Sequence, residues 1–485
     1  MNAPGEYEAV IGLEVHAQLL TETKLFCGCA TSFGAEPNTR VCPVCLGLPG
    51  ALPALNQRAV ELAVRACLAL GGEVQLSSVF ARKQYFYADL PKGYQLSQHD
   101  RPLSLGGGID FSVDGAPRRA PLTRIHLEED AGKSVHGAQG QSLVDLNRAG
   151  TPLIEIVTEP ALGSSVEAAA ALRELRSILL TLEVNDGRMA EGSLRCDANV
   201  SVRPVGSTEL GTRSELKNLN SMRFVQRAID VEIARQVQVL RAGGRVVQET
   251  RAFDPETGTT RSLRGKEESH DYRYFADPDL PPLVLTAAGL AAAREALPAL
   301  PSEVRARWQR EHGLSRQASE TLSAHPALIG FFEAALAAAP SVAVKLANFI
   351  LTEVLRGAAE QGLSMSFRVT PAQVADLVLA VEARQVSGKQ AKEIFQVLEA
   401  DEAGQSVAQV IAARGLRLVA DDGALSALVA EVLAAHPSQV AAYRKGNHAV
   451  LGYLVGQLMR RSSGQADPRR ASELLKAALE SETGS

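Results

Sequence analysis

The chain has 485 residues, 46% of them hydrophobic, and a formal net charge of −5. At roughly 150 residues per domain these values fit about three soluble globular domains. They exclude a disordered chain and a uniformly basic nucleic-acid coat, though not a local basic patch. No apolar run approaches the roughly 18 residues of a membrane span. Residues 1–8 lack the basic and apolar regions of a signal peptide. A cytoplasmic location without a membrane partner is therefore expected.

Residues 1 to about 220 read as strand-rich, and the first segment alternates strictly. Ile11, Leu13, Val15, Ala17 and Leu19 share one face; Glu14, His16 and Gln18 share the other. Alternate strand residues stand about 7 Å apart, so Glu14 and His16 can meet one ion. The pattern Cys27-x-Cys29-x12-Cys42-x2-Cys45 follows. Four thiolates in two close pairs suit a structural zinc with every ligand position filled. Unrelated core cysteines and a redox pair are the competing readings, while Cys67 and Cys196 sit on apolar faces and read as core. Residues 82–94 interleave Arg82, Lys83 and Lys92 with Tyr85, Phe86, Tyr87 and Tyr94. Such a segment either stacks on bases or packs as an aromatic strand and turn.

His126, Glu128, Glu129 and Asp130 form a second acidic cluster, just before Gly132-Lys133-Ser134. A P-loop is excluded there, because its first glycine would fall on Leu127. Ser164 and Glu167 mark a helix start, and a second helix is expected from about Ser221 to Arg241. Between them, Leu194, Cys196, Ala198, Val200 and Val202 oppose Arg195, Asp197, Asn199, Ser201 and Arg203. Arg213, Glu215 and Lys217 share a further polar face. One apolar and one polar face predict an antiparallel sheet covered on one side. Carboxylates with one imidazole suit magnesium or manganese; the bland alternative is a solvated face.

Residues 277–282 carry three prolines and read as a linker. Beyond about residue 293 the apolar period becomes 3.6, which predicts helices throughout, with a division near residues 405–415. Residues 441–470 hold Arg444, Lys445, Arg460, Arg461, Arg469 and Arg470 against the single acid Asp467. That surplus fits either a helical module touching nucleic acid or a solvated helix face.

Longer motifs then carry a resemblance. They include Val10-Ile11-Gly12-Leu13-Glu14-Val15-His16, His126-Leu127-Glu128-Glu129-Asp130-Ala131-Gly132-Lys133 and Glu215-Leu216-Lys217-Asn218-Leu219-Asn220. Residues 42–50, 85–87, 145–148, 150–155, 193–201, 270–275 and 452–457 supply the rest. Together they resemble the B-subunit family of the bacterial aspartyl/glutamyl-tRNA(Asn/Gln) amidotransferases, over essentially the whole chain. Ala88 and Ala276 depart from that pattern, standing where proline is expected.

The resemblance implies an α+β fold: a cradle domain with an antiparallel sheet and packed helices over 1–292, a helical domain over 293–410 and a small helical tail over 411–485. It implies a ligase that phosphorylates the side-chain carboxylate of misacylated Glu-tRNA(Gln) or Asp-tRNA(Asn) with ATP. Ammonia from a separate glutaminase A subunit then amidates it, and a small C subunit completes the heterotrimer. Magnesium is expected on Glu14, His16, Glu128 and Glu215, with Glu129 as an alternative ligand. Lys133, Arg213 and Lys217 are expected at phosphate, and Arg444, Lys445, Arg460 and Arg461 at tRNA. Members without the four cysteines exist, which makes the zinc structural. No Ser- and Gly-rich amidase segment is visible, since Gly163-Ser164-Ser165 reads as a helix cap. The alternative is a non-catalytic, zinc-stabilised tRNA-binding module.

Overall fold

The strictly alternating residues 10–20 become the central strand of a large sheet in the computed structural model. The structure describes residues 6–136, 140–265, 272–401, 404–416, 422–462 and 466–481. His270 and Asp271 of the family motif lie outside them.

The strands that matter here are β1 (Tyr7–Gln18), β2 (Ala81–Gln84), β3 (Tyr94–Ser97), β4 (Ala116–Glu129) and β5 (Pro152–Thr158). They continue with β6 (Leu194–Pro204), β7 (Ser214–Lys217), β8 (Glu249–Asp254), β9 (Thr259–Gly265) and β10 (Phe275–Ala276). Their order is β9-β8-β7-β6-β1-β5-β4-β3-β2-β10. Pairing along this path is antiparallel except between β7 and β8, which run parallel.

The predicted faces are real. Ile11, Leu13, Val15 and Ala17 of β1, with Leu19 just past its end, are buried, as are Leu194, Cys196, Ala198 and Val200 of β6. They form one core with three helices: α1 (Gln57–Ala69), α2 (Ser165–Thr181) and α3 (Met222–Arg241). Ser164 caps α2, its hydroxyl accepting from the Glu167 amide at 3.2 Å. The Glu167 carboxylate accepts from the Gly163 amide at 2.8 Å, one residue before the cap. Ser221 caps α3, which ends before Gly243 at φ +75°. Sequence reading missed α1, although its Asn56 cap and its apolar face through Cys67 are regular.

The linker reading of residues 277–282 needs correction. Asp277 is buried and accepts from Arg82 Nε at 2.6 Å. Its amide donates to the Phe80 carbonyl, and β10 just before it pairs with β2. A long-range ion pair, invisible in local composition, straps this segment to the sheet.

Two compact units make up the chain: Met1–Arg307 with Ser323–Pro326, and Trp308–Leu322 with Ala327–Ser485. Among the described residues, the regular elements of the second unit are helices apart from one small hairpin, Ala359–Gln361 with Ser364–Ser366. Buried Trp308 packs edge-on against Phe332 there, with ring centroids 4.8 Å apart, and donates to Glu333 Oε1 at 2.6 Å. Residues near the C-terminus keep a separate apolar core that includes Leu425, Val432, Leu454, Leu458 and Leu475. Among the described residues no single helix is long and apolar enough to cross a membrane.

Leu13 sits at the centre of the sheet's core and is 1% exposed. Leu13→Ala is expected to cost about 2–5 kcal/mol, read as a lowered midpoint in chemical denaturation of the chain.

Candidate active site

With α1–α3 covering the core face, the polar residues of β1, β4, β5 and β6 line the opposite face of the sheet. Strand register aligns them. Glu155 lies opposite both His126 and His16, and His16 lies opposite Arg195. One row, His126–Glu155–His16–Arg195, therefore crosses β4, β5, β1 and β6. Glu14 faces Asp197 on the adjoining strand. Glu128 shares the His126 face two residues further along β4.

His16 is the hub of this floor. Its Nε2 lies 3.3 Å from Glu155 Oε2, 3.5 Å from Glu14 Oε1 and 3.8 Å from Glu128 Oε1. His126 Nε2 lies 3.6 Å from Glu128 and 3.8 Å from Glu155. Two donor groups result, Glu14 with His16 and Asp197, and His16 with Glu128 and Glu155. Within each group all ligand atoms lie within 4.8 Å of one another. A cavity of about 450 Å³ opens over them, lined also by Lys83, Tyr85, Arg195 and Lys217. Asp130 braces one side, accepting from Arg195 at 3.0 Å and Gln18 at 2.8 Å.

The charge balance is unusual for a solvated face. Burial, with the charges of Glu155 and Asp197, pushes the Glu14 carboxyl up to about 7 against the pull of His16 and Lys217. Burial alone would lower His16; the hydrogen bond and charge of Glu155, with Glu128 and Glu14, outweigh it and raise His16 to about 9. Burial opposes ionisation of Glu155, yet His126, His16 and Lys83 hold its carboxyl below the usual range. Protons thus stand where a divalent cation would place its charge. Several carboxylates with one imidazole form a hard donor set that fits magnesium or manganese. The His126 Nδ1 is buried and has no hydrogen-bond partner among the described residues.

The four cysteines also converge. Sulfurs of Cys27, Cys29, Cys42 and Cys45 lie within 4.8 Å of one another. The tight turn after Cys42 brings the Leu46 amide to its carbonyl at 3.0 Å. Gly47 follows at φ +67°, where a Cβ would strike Lys92. Buried Lys24 reaches Cys45 Sγ at 3.5 Å and the Arg40 carbonyl at 2.8 Å. The Cys27 thiol, the Cys42 amide and the Lys24 ammonium together hold Cys45 down at about 4, the thiolate a metal needs. Cys67 and Cys196 are buried in the core, as their apolar faces predict.

Other expected residues lie elsewhere. Glu215 accepts from Thr250 Oγ1 at 2.7 Å and pairs with Lys217 at 3.0 Å, outside both donor groups. Lys217 lines the cavity but is committed to Asp197 at 2.6 Å. Glu129 accepts from Lys92 and from the Leu96 amide, and it lines a smaller cavity with Cys45 and Tyr94. Lys133 is exposed on a separate hairpin, Lys133–His136 with Ser142–Asp145. Arg213 is exposed just before β7, and neither it nor Lys133 lines the cavity. Arg444, Lys445, Arg460 and Arg461 are all exposed. They do not form one cluster: Arg444 and Lys445 rim a groove with Leu433 and Leu474, Arg460 lines another with Arg384 and Lys389, and Arg461 pairs with Glu431 at 2.9 Å.

Sequence reading missed Glu155 as a site residue and left Asp197 without a role. A signal existed for each: Glu155 is a lone charge in the apolar run of β5, and Asp197 sits on the polar face of β6.

A family model described as the GatB/GatE catalytic domain matches residues 9–291. Another, described as the GatB domain, matches residues 330–479. The fold and floor thus define a catalytic domain of the amidotransferase type. The B subunit of the aspartyl/glutamyl-tRNA(Asn/Gln) amidotransferase from Anaeromyxobacter sp. (strain Fw109-5) is 53% identical over 479 residues, 98% of this chain and 99% of the relative. The relatives of that name from Geotalea uraniireducens (strain Rf4) and Myxococcus xanthus (strain DK1622) are 51% and 50% identical over 475 and 476 residues. They cover 97% and 98% of this chain, and 98% and 99% of the relatives. The chain belongs to the GatB family of amidotransferase B subunits.

Stability of the metal-free chain should follow the floor's protons. The folded pKa values of His16, about 9 against 6.5, and Glu14, about 7 against 4.5, are both raised. The folded state therefore binds these protons more tightly. Their contribution is complete at low pH and is lost as pH rises, through about 7 for Glu14 and about 9 for His16. The lowered Cys45 thiol works the other way over the same window, so the test is differential: in chelator, the thermal midpoint of the parent should fall more steeply (or rise less) from pH 7 to 9 than that of His16→Gln, and equal pH slopes would contradict the assignment.

Proposed function

We propose that the chain is the activating and transamidating subunit of a tRNA-dependent amidotransferase, with misacylated Glu-tRNA(Gln), Asp-tRNA(Asn) or both as substrate. A side-chain carboxylate oxygen attacks the terminal phosphorus of ATP; the new O–P bond forms as the bond to ADP breaks. Ammonia then attacks the acyl carbon and the carbon–oxygen bond to phosphate breaks. The phosphate leaves with the proton the nitrogen sheds, and Gln-tRNA(Gln) or Asn-tRNA(Asn) remains. The observation that carries this reading is the buried row of carboxylates around His16 on the open face of a GatB/GatE-type catalytic domain. A purely binding module has no use for several carboxylates buried against two imidazoles, given what desolvating such groups costs.

Glu14, His16, Glu128, Glu155 and Asp197 would hold magnesium, with Glu215 at the margin through Lys217. The bound ion supplies positive charge to phosphoryl oxygens. Asp130 and Arg195 keep the side wall fixed by their mutual ion pair, and Tyr85 adds an aromatic ring to the lining. Cys27, Cys29, Cys42 and Cys45 would hold a structural zinc, away from the reacting groups. Residues 1–292 serve as the cradle, 293–410 as a helical domain and 411–485 as the tRNA-contacting tail, whose own apolar core supports that division. A glutaminase A subunit, a small C subunit and tRNA complete a cytoplasmic heterotrimer.

Glu128→Gln in the reconstituted complex should abolish ATP-dependent carboxylate activation and leave tRNA binding within about twofold of the parent. Full transamidation by this variant with free ammonia and ATP would refute the metal assignment.

Elemental analysis of the chain purified under reducing conditions should give about one zinc per chain. Cys45→Ser should lose it and lower the melting temperature, while a zinc-free preparation with unchanged melting would remove the zinc reading.

A further inference from the structure

Besides the His16 imidazole, one arginine and two lysines line the cavity over the floor: Arg195, Lys83 and Lys217. Two are committed. Lys217 pairs with Asp197 at 2.6 Å and Glu215 at 3.0 Å, and Arg195 pairs with Asp130 at 3.0 Å. The Lys83 ammonium makes no hydrogen bond and no ion pair among the described residues. It is gripped instead by aromatic faces, its Nζ lying 5.1 Å from the Tyr272 ring centroid and 5.9 Å from that of Tyr85.

That grip is itself held. Lys83 lies on β2, which pairs with β3 on one side and β10 on the other. The Gln84 amide next to it donates to the Tyr272 carbonyl at 3.0 Å. Tyr85 donates its hydroxyl to Gln95 Oε1 at 3.3 Å, and Gln95 in turn donates to the Glu129 carbonyl at 2.8 Å. The Tyr272 ring packs edge-on against Tyr85 and Tyr274 at 6.0 and 5.9 Å. Aromatic faces attract an ammonium but accept little from its three N–H donors. Burial works against the charge of Lys83, and Glu128 and Glu155 outweigh it from a distance. A half-buried cation that has lost water and gained no acceptor costs free energy unless a ligand supplies the acceptor. Lys133 and Arg213 are exposed and do not line this cavity.

We propose that Lys83 is a catalytic residue whose ammonium binds an anionic oxygen of the reacting carboxylate–phosphoryl unit in this cavity. The inference rests on the amidotransferase reading and adds to it the cation that meets the substrate. Aromatic walls fix the ammonium in advance, so it stabilises charge without reorganising at the moment of reaction. The segment of residues 82–94 is then split by strand alternation. Arg82 is structural, paired with Asp277 and stacked on Tyr94, while Lys83 turns to the chemistry.

The test uses the complex with its partner subunits, aminoacyl-tRNA, ATP and free ammonia, comparing the parent with Lys83→Met and Lys83→Arg. An inactive parent complex would refute the amidotransferase reading itself and is separate from the fate of Lys83. With an active parent, Lys83→Met should lower kcat/KM about 100- to 1000-fold, with Lys83→Arg recovering at least tenfold of that. A rise confined to KM for aminoacyl-tRNA would identify the carboxylate as the bound anion. A fall in the rate of phosphoryl transfer at unchanged KM would identify the phosphoryl group. Parent-like kcat and KM in a folded Lys83→Met complex would overturn the proposal. Equal inactivity of both variants with a lowered melting temperature would also overturn it, leaving Lys83 as support for the tyrosine cluster.

Discussion

The structure depends on the register of β1 between β5 and β6. Side chains alternate along a strand, so a slip of one residue would exchange its core and polar faces. Ile11, Leu13, Val15 and Ala17 cannot leave the core without exposing a row of apolar surface. Their packing against α2 and α3 therefore fixes where Glu14 and His16 point. Because β5 and β6 are pinned by the same rule, Glu155, His16 and Arg195 fall into one row. The geometry of the polar floor is thus a consequence of apolar packing on the other side of the sheet.

That floor is expensive in the absence of a cation. Buried carboxylates are tolerated when paired and hydrogen-bonded, and here the partners are imidazoles and protons. His16 carries a proton well above its ordinary range because Glu155, Glu128 and Glu14 surround it. Glu14 holds one more tightly than usual because burial, and then the charges of Glu155 and Asp197, oppose its ionisation. Metal ligands must give up such protons, so a dication and the two protons are alternative solutions to one electrostatic problem.

What was legible in the sequence was local. Faces of β1 and β6, the cap at Ser164, the helix from about Ser221, and the spacing of the four cysteines follow from periods of 2 and 3.6 and from short ligand spacings. What was not legible depended on which strands are neighbours. Glu155 becomes a site residue only when β5 pairs with both β1 and β4. The strap at Asp277 depends on Arg82, 195 residues away. Glu215 is separated from the floor because Thr250 on β8 and Lys217 engage it. Lys133 and Arg213 carry the right charge at strand ends, where the chain turns them to solvent.

Alternation also explains how the sulfur cluster relates to the chemistry. Consecutive residues of a strand face opposite sides, so Glu128 and Glu129 cannot serve one cavity. Glu128 joins the His16 floor, and Glu129 joins the smaller cavity beside Cys45, held by Lys92 and the Leu96 amide. From that second side the cysteine loop docks onto the segment that leads into β5. The Asn38 amide donates to Asp145, the Arg40 amide donates to Asn147 at 2.8 Å, and the Leu25 amide donates to the Gly150 carbonyl at 2.9 Å. A metal on the four sulfurs would stiffen this loop, and with it the entry of β5 that carries Glu155. It would shape the floor through the backbone while touching none of the floor's side chains. A structural metal with no open ligand position requires that arrangement if it is to influence a reaction at all.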